Sequence, residues 1–306
     1  MRIAIIGRTE ILYNTALLLA ESGHDIVCVV TSKEAPEYTR TVKDFRALAT
    51  QFSAPFSVSA NILSQSDLLK EARADIAVSI NYSNIIPEAI TTLFPLGVLN
   101  AHGGDLPRYR GNACQAWAIM NGEPKVGLCV HKMIPGELDN GDIVTRDYMS
   151  IQHDTKITSV WNWMVERTPH LMMEAVNTLE KDPNFILVRQ SMDPRDALRC
   201  YPRRPEDGRI NWASPATLVL RLINASNKPY LGAFCEFEGV KLTIWDAEIV
   251  EDGELFCAVP GQVTSIGEHS VDIACGEGKI RLKEVEFEGW CGAPSNLIRS
   301  VRMRLS

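Results

Sequence analysis

Leu96-Gly-Val-Leu-Asn100-Ala-His102-Gly-Gly-Asp-Leu-Pro107-Arg-Tyr-Arg110-Gly111 is the stretch on which the reading of this chain turns. The apolar run at 96–99 predicts a buried strand, and Asn100 and His102 then fall at its carboxyl end. Alternate side chains of an extended chain point the same way, so the amide and the imidazole aim at one spot. That pair suits acyl transfer. The amide can donate to an oxygen that gains negative charge, and the imidazole can take the proton of an attacking group at neutral pH. A second stretch, His131-Lys-Met-Ile-Pro-Gly-Glu-Leu-Asp139-Asn-Gly141-Asp142-Ile143, offers the carboxylate that would orient His102.

Outward from this stretch, the first half alternates short apolar runs with amphipathic ones. Strands are expected at 2–6, 25–30, 55–58, 75–80 and 97–100, and helices at 10–22, 42–49, 62–72 and 87–94. That rhythm predicts a parallel α/β sheet. Ligands of such sheets lie outside the carboxyl ends of the strands, where Asn81-Tyr-Ser-Asn84 and the Asn100/His102 pair both fall. The turn Gly7-Arg-Thr-Glu lacks the Gly-x-Gly-x-x-Gly spacing that brings backbone close to a pyrophosphate, so it reads as a plain strand-to-helix connection. Further strands are expected at 126–133 and 143–151. A long helix follows at 156–181, with Trp161, Trp163, Met164, Leu171, Met172 and Leu179 at core-facing spacing. Composition then turns polar and Pro-rich over 193–207, which reads as a linker or crossing loop. Beyond it lie a helix at 215–224 and strands at 232–237, 240–246, 261–266, 270–275 and 279–283, a spacing that suggests a small β-barrel. The expected division is 1–195, a linker at 196–207, and 208–306.

The chain carries 31 Lys and Arg against 38 Asp and Glu, a formal charge of −7, which speaks against an extended nucleic-acid footprint. No apolar run approaches the ~20 residues of a membrane span, and the opening strand has no signal-peptide layout. The eight cysteines are scattered without a Cys-x-x-Cys pair, so reduced structural thiols in a cytoplasmic protein are expected rather than disulfides or zinc.

Asn100/His102, then Leu106-Pro107-Arg-Tyr-Arg110-Gly111, then Asp139-Asn-Gly141 resemble, in order and spacing, the signature of the folate-dependent formyltransferase family. The chain departs from the family in one place, carrying Gly104 and Asp105 where Ser and Leu are usual. Its second half also resembles members with an OB-like carboxyl-terminal barrel, through Arg209-Ile-Asn-Trp212, Pro229-Tyr-Leu-Gly-Ala-Phe234, Val240-Lys-Leu-Thr-Ile-Trp245 and Pro260-Gly-Gln-Val. The resemblance implies a Rossmann-like parallel-sheet formyltransferase domain followed by a small OB-like β-barrel domain. It implies transfer of a formyl group from 10-formyltetrahydrofolate to an amine, without a metal.

Residue by residue, the resemblance makes Asn100 the oxyanion donor, His102 the proton carrier and Asp139 its carboxylate partner, in preference to the neighbouring Asp142. Asn84, Ile85 and Ile86, with Leu138 and Asn140, are implied to contact the cofactor, largely through backbone. His131 two residues before Met133, and Arg110-Gly-Asn112, are similar to the sugar-directed branch of the family. Tyr201, Arg203 and Arg204 are candidate contacts to a diphosphate, since Arg forks suit phosphate oxygens; a solvated basic linker reads equally well. The implied acceptor is a nucleotide-linked amino sugar of the kind used in bacterial lipopolysaccharide. Methionyl-tRNA formyl transfer, formyltetrahydrofolate hydrolysis and non-catalytic folate or nucleotide binding stay open as alternatives, as does a homodimer.

Overall fold

Strand β1 (Arg2–Gly7) lies inside the main sheet, and Ile3, Ala4, Ile5 and Ile6 on it have no exposed surface. A strand covered on both faces reads as an unbroken apolar run rather than an alternation. Burying each isoleucine contributes roughly 2–3 kcal/mol, and Ile5→Ala would cost roughly 2–5 kcal/mol. Helix α1 (Glu10–Glu21) follows, capped by Thr9, whose hydroxyl accepts the Leu12 N–H at 3.4 Å. The structure is a computed structural model and describes residues 1–306.

The alternation continues through β2 (Asp25–Thr31), α2 (Val42–Gln51), β3 (Phe56–Val58), α3 (Ser66–Ala72), β4 (Ile76–Ile80), α4 (Glu88–Thr91) and β5 (Val98–His102). These five strands are parallel in the order β3-β2-β1-β4-β5. Helix α4 (Glu88–Thr91) is one turn, shorter than the expected 87–94. After it come β6 (Arg110–Gly111), α5 (Cys114–Asn121), β7 (Lys125–Lys132), β8 (Ile143–Ser150), α6 (Ile157–Lys181) and β9 (Arg199–Cys200).

Strand β7 joins β5 antiparallel and β8 follows it, so the seven-stranded sheet is mixed where the alternation predicted a parallel one. An antiparallel neighbour needs no crossover helix on the sheet. The helix between β5 and β7 is accordingly not part of this body: the chain divides into two compact units, and Gln115–Lys125 belongs to the second. The first unit comprises Met1–Cys114, Val126–Met149 and Trp161–Tyr201. Within the polar stretch 193–207, β9 pairs in parallel with β6, Arg110 opposite Arg199 and Gly111 opposite Cys200.

The second unit comprises Gln115–Lys125, Ser150–Val160 and Pro202–Ser306. It contains α7 (Ala216–Ser226), β10 (Ala233–Phe237), β11 (Val240–Val250), β12 (Val263–Ile266), β13 (Val271–Ala274), β14 (Lys279–Phe287) and β15 (Trp290–Gly292). The antiparallel order is β10-β11-β14-β13-β12, with β15 also on β14. Residues 303–306 join the two edges. The Val263 N–H donates to the Met303 carbonyl and the Leu305 N–H to that of Gly261, while Glu236 and Ser306 exchange backbone hydrogen bonds at 2.6 and 3.0 Å. The ring so closed is the barrel that the strand spacing suggested, and Val219, Leu220 and Ile223 of α7 pack into one core with Leu242, Ile244, Ile280 and Leu282. No helix is long and apolar enough to cross a membrane.

Candidate active site

The register of β5 against β7 builds the site. Asn100 stands opposite His131, and His102 opposite Cys129. Residues two apart on a strand share a face, and so do directly opposed residues on paired strands. Asn100, His102 and His131 therefore come to one face of the sheet. Asp139 meets them from the turn after β7, in the left-handed region at φ +50°, a conformation that Asp tolerates better than most residues.

The carboxylate of Asp139 is the hub. Its Oδ2 lies 3.4 Å from His102 Nδ1 and accepts the Gly111 N–H at 2.9 Å. Its Oδ1 lies 3.4 Å from His131 Nε2 and accepts from Asn100 Nδ2 at 3.4 Å. The Asn100 amide also meets His131 Nε2 at 3.2 Å, and His131 Nδ1 lies 3.2 Å from the Lys132 carbonyl. His102 Nε2 faces the Tyr109 carbonyl at 2.6 Å. His102, His131 and Asp139 are all buried. Burial pushes the Asp139 carboxyl up, but attraction to His102, hydrogen bonding and attraction from His131, and the Gly111 N–H outweigh it and hold the group well below the usual carboxylate range. Asp139 is thus a fixed negative charge between two imidazoles. Asp142 stands apart, its carboxylate 3.9 Å from the exposed Arg189.

The two departures from the family pattern have a physical account. A Cβ at Gly104 would stand 2.2 Å from the Tyr109 carbonyl oxygen and 2.6 Å from His102 Nε2, so the observed contact between that carbonyl and His102 requires glycine. Asp105 accepts the Tyr148 hydroxyl at 3.0 Å and sits 4.0 Å from Arg146, so a polar tie to β8 holds the loop.

The other residues singled out in the sequence are distributed more widely. Asn84 donates to the Ala60 carbonyl at 2.6 Å, Ile85 is exposed, and the Ile86 side chain is buried in the apolar core, which leaves its backbone for any ligand. Leu138 is half-buried beside Asp139. Asn140 donates to Glu137 and to the Met192 sulfur, and its Oδ1 is buried without a partner. Arg110 spends its Nη2 on Gln190 and on the Ser191 carbonyl. Asn112 and Tyr201 are exposed, and Arg199 lies over the Tyr201 ring at 5.5 Å. In the second unit, Arg203 donates to the Ala225 carbonyl and to the Ser226 hydroxyl at the end of α7, while Arg204 is exposed. Two contributors escaped the sequence reading. The Gly111 N–H is a backbone group that no side-chain pattern reports, and Gln190 is a lone glutamine after a helix. No group of three His, Cys, Asp or Glu residues is placed to hold a metal ion.

A Rossmann-like sheet that sets Asn, His and Asp around one strand end, with an antiparallel barrel in the same chain, defines a group-transfer enzyme of the formyltransferase class. The chain belongs to the formyl transferase family: residues 1–176 match the family described as Formyl transferase, and residues 203–291 its carboxyl-terminal domain. It is 30% identical over 299 residues to the methionyl-tRNA formyltransferase of Pelotomaculum thermopropionicum, covering 94% of this chain and 92% of the relative. Identity to the enzyme of the same name from Caldanaerobacter subterraneus subsp. tengcongensis is 30% over 295 residues, with 94% and 93% covered. Among solved structures, the fold resembles WlaRD, a sugar 3N-formyl transferase, at TM-score 0.65 and 15% identity over 92% of this chain and 97% of that one. It also resembles HypX from Aquifex aeolicus in complex with tetrahydrofolic acid, at TM-score 0.66 and 18% identity over 98% of this chain. The present chain spans about half (47%) of that HypX chain.

Proposed function

We propose that this protein transfers a formyl group from 10-formyltetrahydrofolate to the amine of a nucleotide-linked amino sugar, with the chemistry in the unit that carries β5 and β7. The observation that carries the reading is the single carboxylate, Asp139, that joins His102 to Asn100 on one sheet face.

Asn100 turns its amide N–H toward the formyl oxygen as that oxygen gains negative charge, giving up its present hydrogen bond to Asp139 Oδ1. His102 takes the proton that the amine sheds. Asp139 lies against Nδ1 and the Tyr109 carbonyl against Nε2, so the ring is held between two oxygens that fix its orientation. Asp139 supplies the compensating charge. The donor fits the residues present. The exposed Ile85 and the backbone of 84–86 offer N–H and C=O groups at a strand end, and Asn140 Oδ1 is a buried acceptor in want of a donor. Those groups, with Leu138, would hold the pterin, and the bound folate supplies the formyl group.

The acceptor assignment is supported by charge. Residues 202–306 carry 12 Lys and Arg against 15 Asp and Glu. Several of those cations are neutralised locally: Lys279 by Asp252 and Glu254, Arg281 by Asp272, Lys283 by Glu248 and Arg209 by Glu236. A polynucleotide is held chiefly through its phosphates and needs clustered free cations, whereas a sugar diphosphate needs only a few donors. A second reading, formyl transfer to methionyl-tRNA, is favoured by the 30% identity to enzymes of that name over 94% of the chain. Assays of UDP-4-amino-arabinose, a dTDP-linked 3-amino sugar and methionyl-tRNA at matched salt separate the two. A higher kcat/KM for either sugar nucleotide is expected. A higher value for the charged tRNA would overturn the acceptor and leave the chemistry standing.

A further inference from the structure

We propose that Gln190 is a positioning residue for formyl transfer, acting through Asp139. This rests on the reading of Asp139 as the carboxylate partner of His102. Gln190 is buried at 4% exposure and makes three hydrogen bonds with one carboxamide. Its Nε2 donates to the Asp139 carbonyl at 3.0 Å and to the Gly141 carbonyl at 2.6 Å. Its Oε1 accepts from Arg110 Nη2 at 3.0 Å. It reaches this place because the segment after α6 pairs with the start of β8, Val188 opposite Ile143.

The turn that Gln190 grips is one that needs external support. Asp139 has φ +50°, a region that non-glycine residues occupy at a cost and keep only where the surroundings fix it. Gly141 is pressed against β7 so closely that a Cβ there would stand 1.5 Å from the Lys132 carbonyl oxygen. The carbonyls of Asp139 and Gly141 face inward, and buried backbone acceptors require donors. One amide nitrogen supplies both. The Arg110 end completes a ring, because the residue after Arg110 is Gly111, whose N–H donates to Asp139 Oδ2 at 2.9 Å. Gln190 thus ties down the backbone beneath the Asp139 carboxylate and, through Arg110, the neighbour of the group that orients it.

The consequence is kinetic. The 3.4 Å between Asp139 Oδ2 and His102 Nδ1 depends on where this turn stands. A misplacement of about 1 Å in such a constellation costs on the order of 100-fold in rate. The test uses the full chain with 10-formyltetrahydrofolate and whichever acceptor the comparison above selects. Gln190→Ala is expected to lower kcat about 10- to 100-fold, with both KM values changed less than about threefold. Gln190→Glu keeps the acceptor for Arg110, removes the two donated hydrogens and is nearly isosteric. It should match the alanine variant in kcat, with a lowered melting temperature because two buried carbonyls lose their donor and face a carboxylate, and it supplies a second variant if Gln190→Ala does not fold. In an Asp139→Asn background, either change should cost less than about a further twofold, as expected of residues that act as a unit.

Gln190→Glu with kcat within about threefold of wild type would overturn the proposal. So would a loss that persists undiminished beside Asp139→Asn, since that marks a structural role. If Asp139→Asn alone leaves kcat intact, the reading of Asp139 falls and this proposal with it. If Asp139→Asn is crippled and the Gln190 variants are not, only the proposal about Gln190 falls.

Discussion

His131 Nε2 lies 3.4 Å from Asp139 Oδ1, the carboxylate oxygen opposite the one that faces His102. Asp139 therefore serves two imidazoles from neighbouring strands. Removing its charge while keeping its shape should uncouple both. Asp139→Asn is expected to lower kcat by roughly 10³- to 10⁴-fold, the size seen when a carboxylate partner of a catalytic histidine is neutralised. Asp142→Asn, beyond reach of His102, should stay within about threefold of wild type. Steady-state kinetics on the two variants, with circular dichroism to verify folding, decides. A larger loss at Asp142 would reassign the carboxylate.

Asn100→Ala removes the amide proposed to meet the formyl oxygen. Loss of one such donor typically lowers kcat about 10²- to 10³-fold, and the KM for 10-formyltetrahydrofolate should change little. His102→Ala should fall at least as far. Near-normal turnover in either folded variant would remove that residue from the chemistry.

Stability should carry the signature of Asp139 in acid. Its folded carboxyl is held below the ordinary range, so the stability it contributes is complete above the unfolded value of about 4 and is lost as pH falls through the lower folded value. Thermal melts of wild type and Asp139→Asn between about pH 5.5 and about pH 2.5 test the sign. The difference should be level at the upper end and move in favour of the Asn variant as pH drops. A difference independent of pH would show that the carboxyl is unperturbed.

Gly104 offers a steric test. A methyl group there collides with the Tyr109 carbonyl and with the His102 ring, neither of which is a flexible side-chain end. Gly104→Ala should destabilise by about 1–3 kcal/mol, the usual cost of overpacking, and lower kcat through the displaced ring. Gly104→Ser, which installs the residue usual in the family, should do the same unless the 105–110 turn relaxes. Denaturant melts and kcat on both variants measure the two effects separately.

Much of this was legible in the sequence because it rests on local rules. The apolar run at 3–6 announces a doubly covered strand, and the period of two places Asn100 and His102 on one face. What escaped depends on pairings between distant segments. Nothing local says that β7 runs antiparallel to β5, which is what sets His131 opposite Asn100. Arg199–Cys200 lies in a polar stretch with no strand pattern and becomes β9 only because β6 is there to receive it. Gln190 carries no motif, and its meaning lies in two carbonyls some fifty positions earlier in the chain.

The closure of the barrel by residues 303–306 bears on how the second unit assembles. Its defining pairing joins Glu236 to Ser306, 70 positions apart, and loop-closure entropy must be met before such a contact gives any return. Until it forms, β10 and β12 are open edges, the kind that recruit foreign strands and seed aggregation. The short segment 303–306 is therefore a late-arriving guard for the folding chain as well as part of the finished barrel.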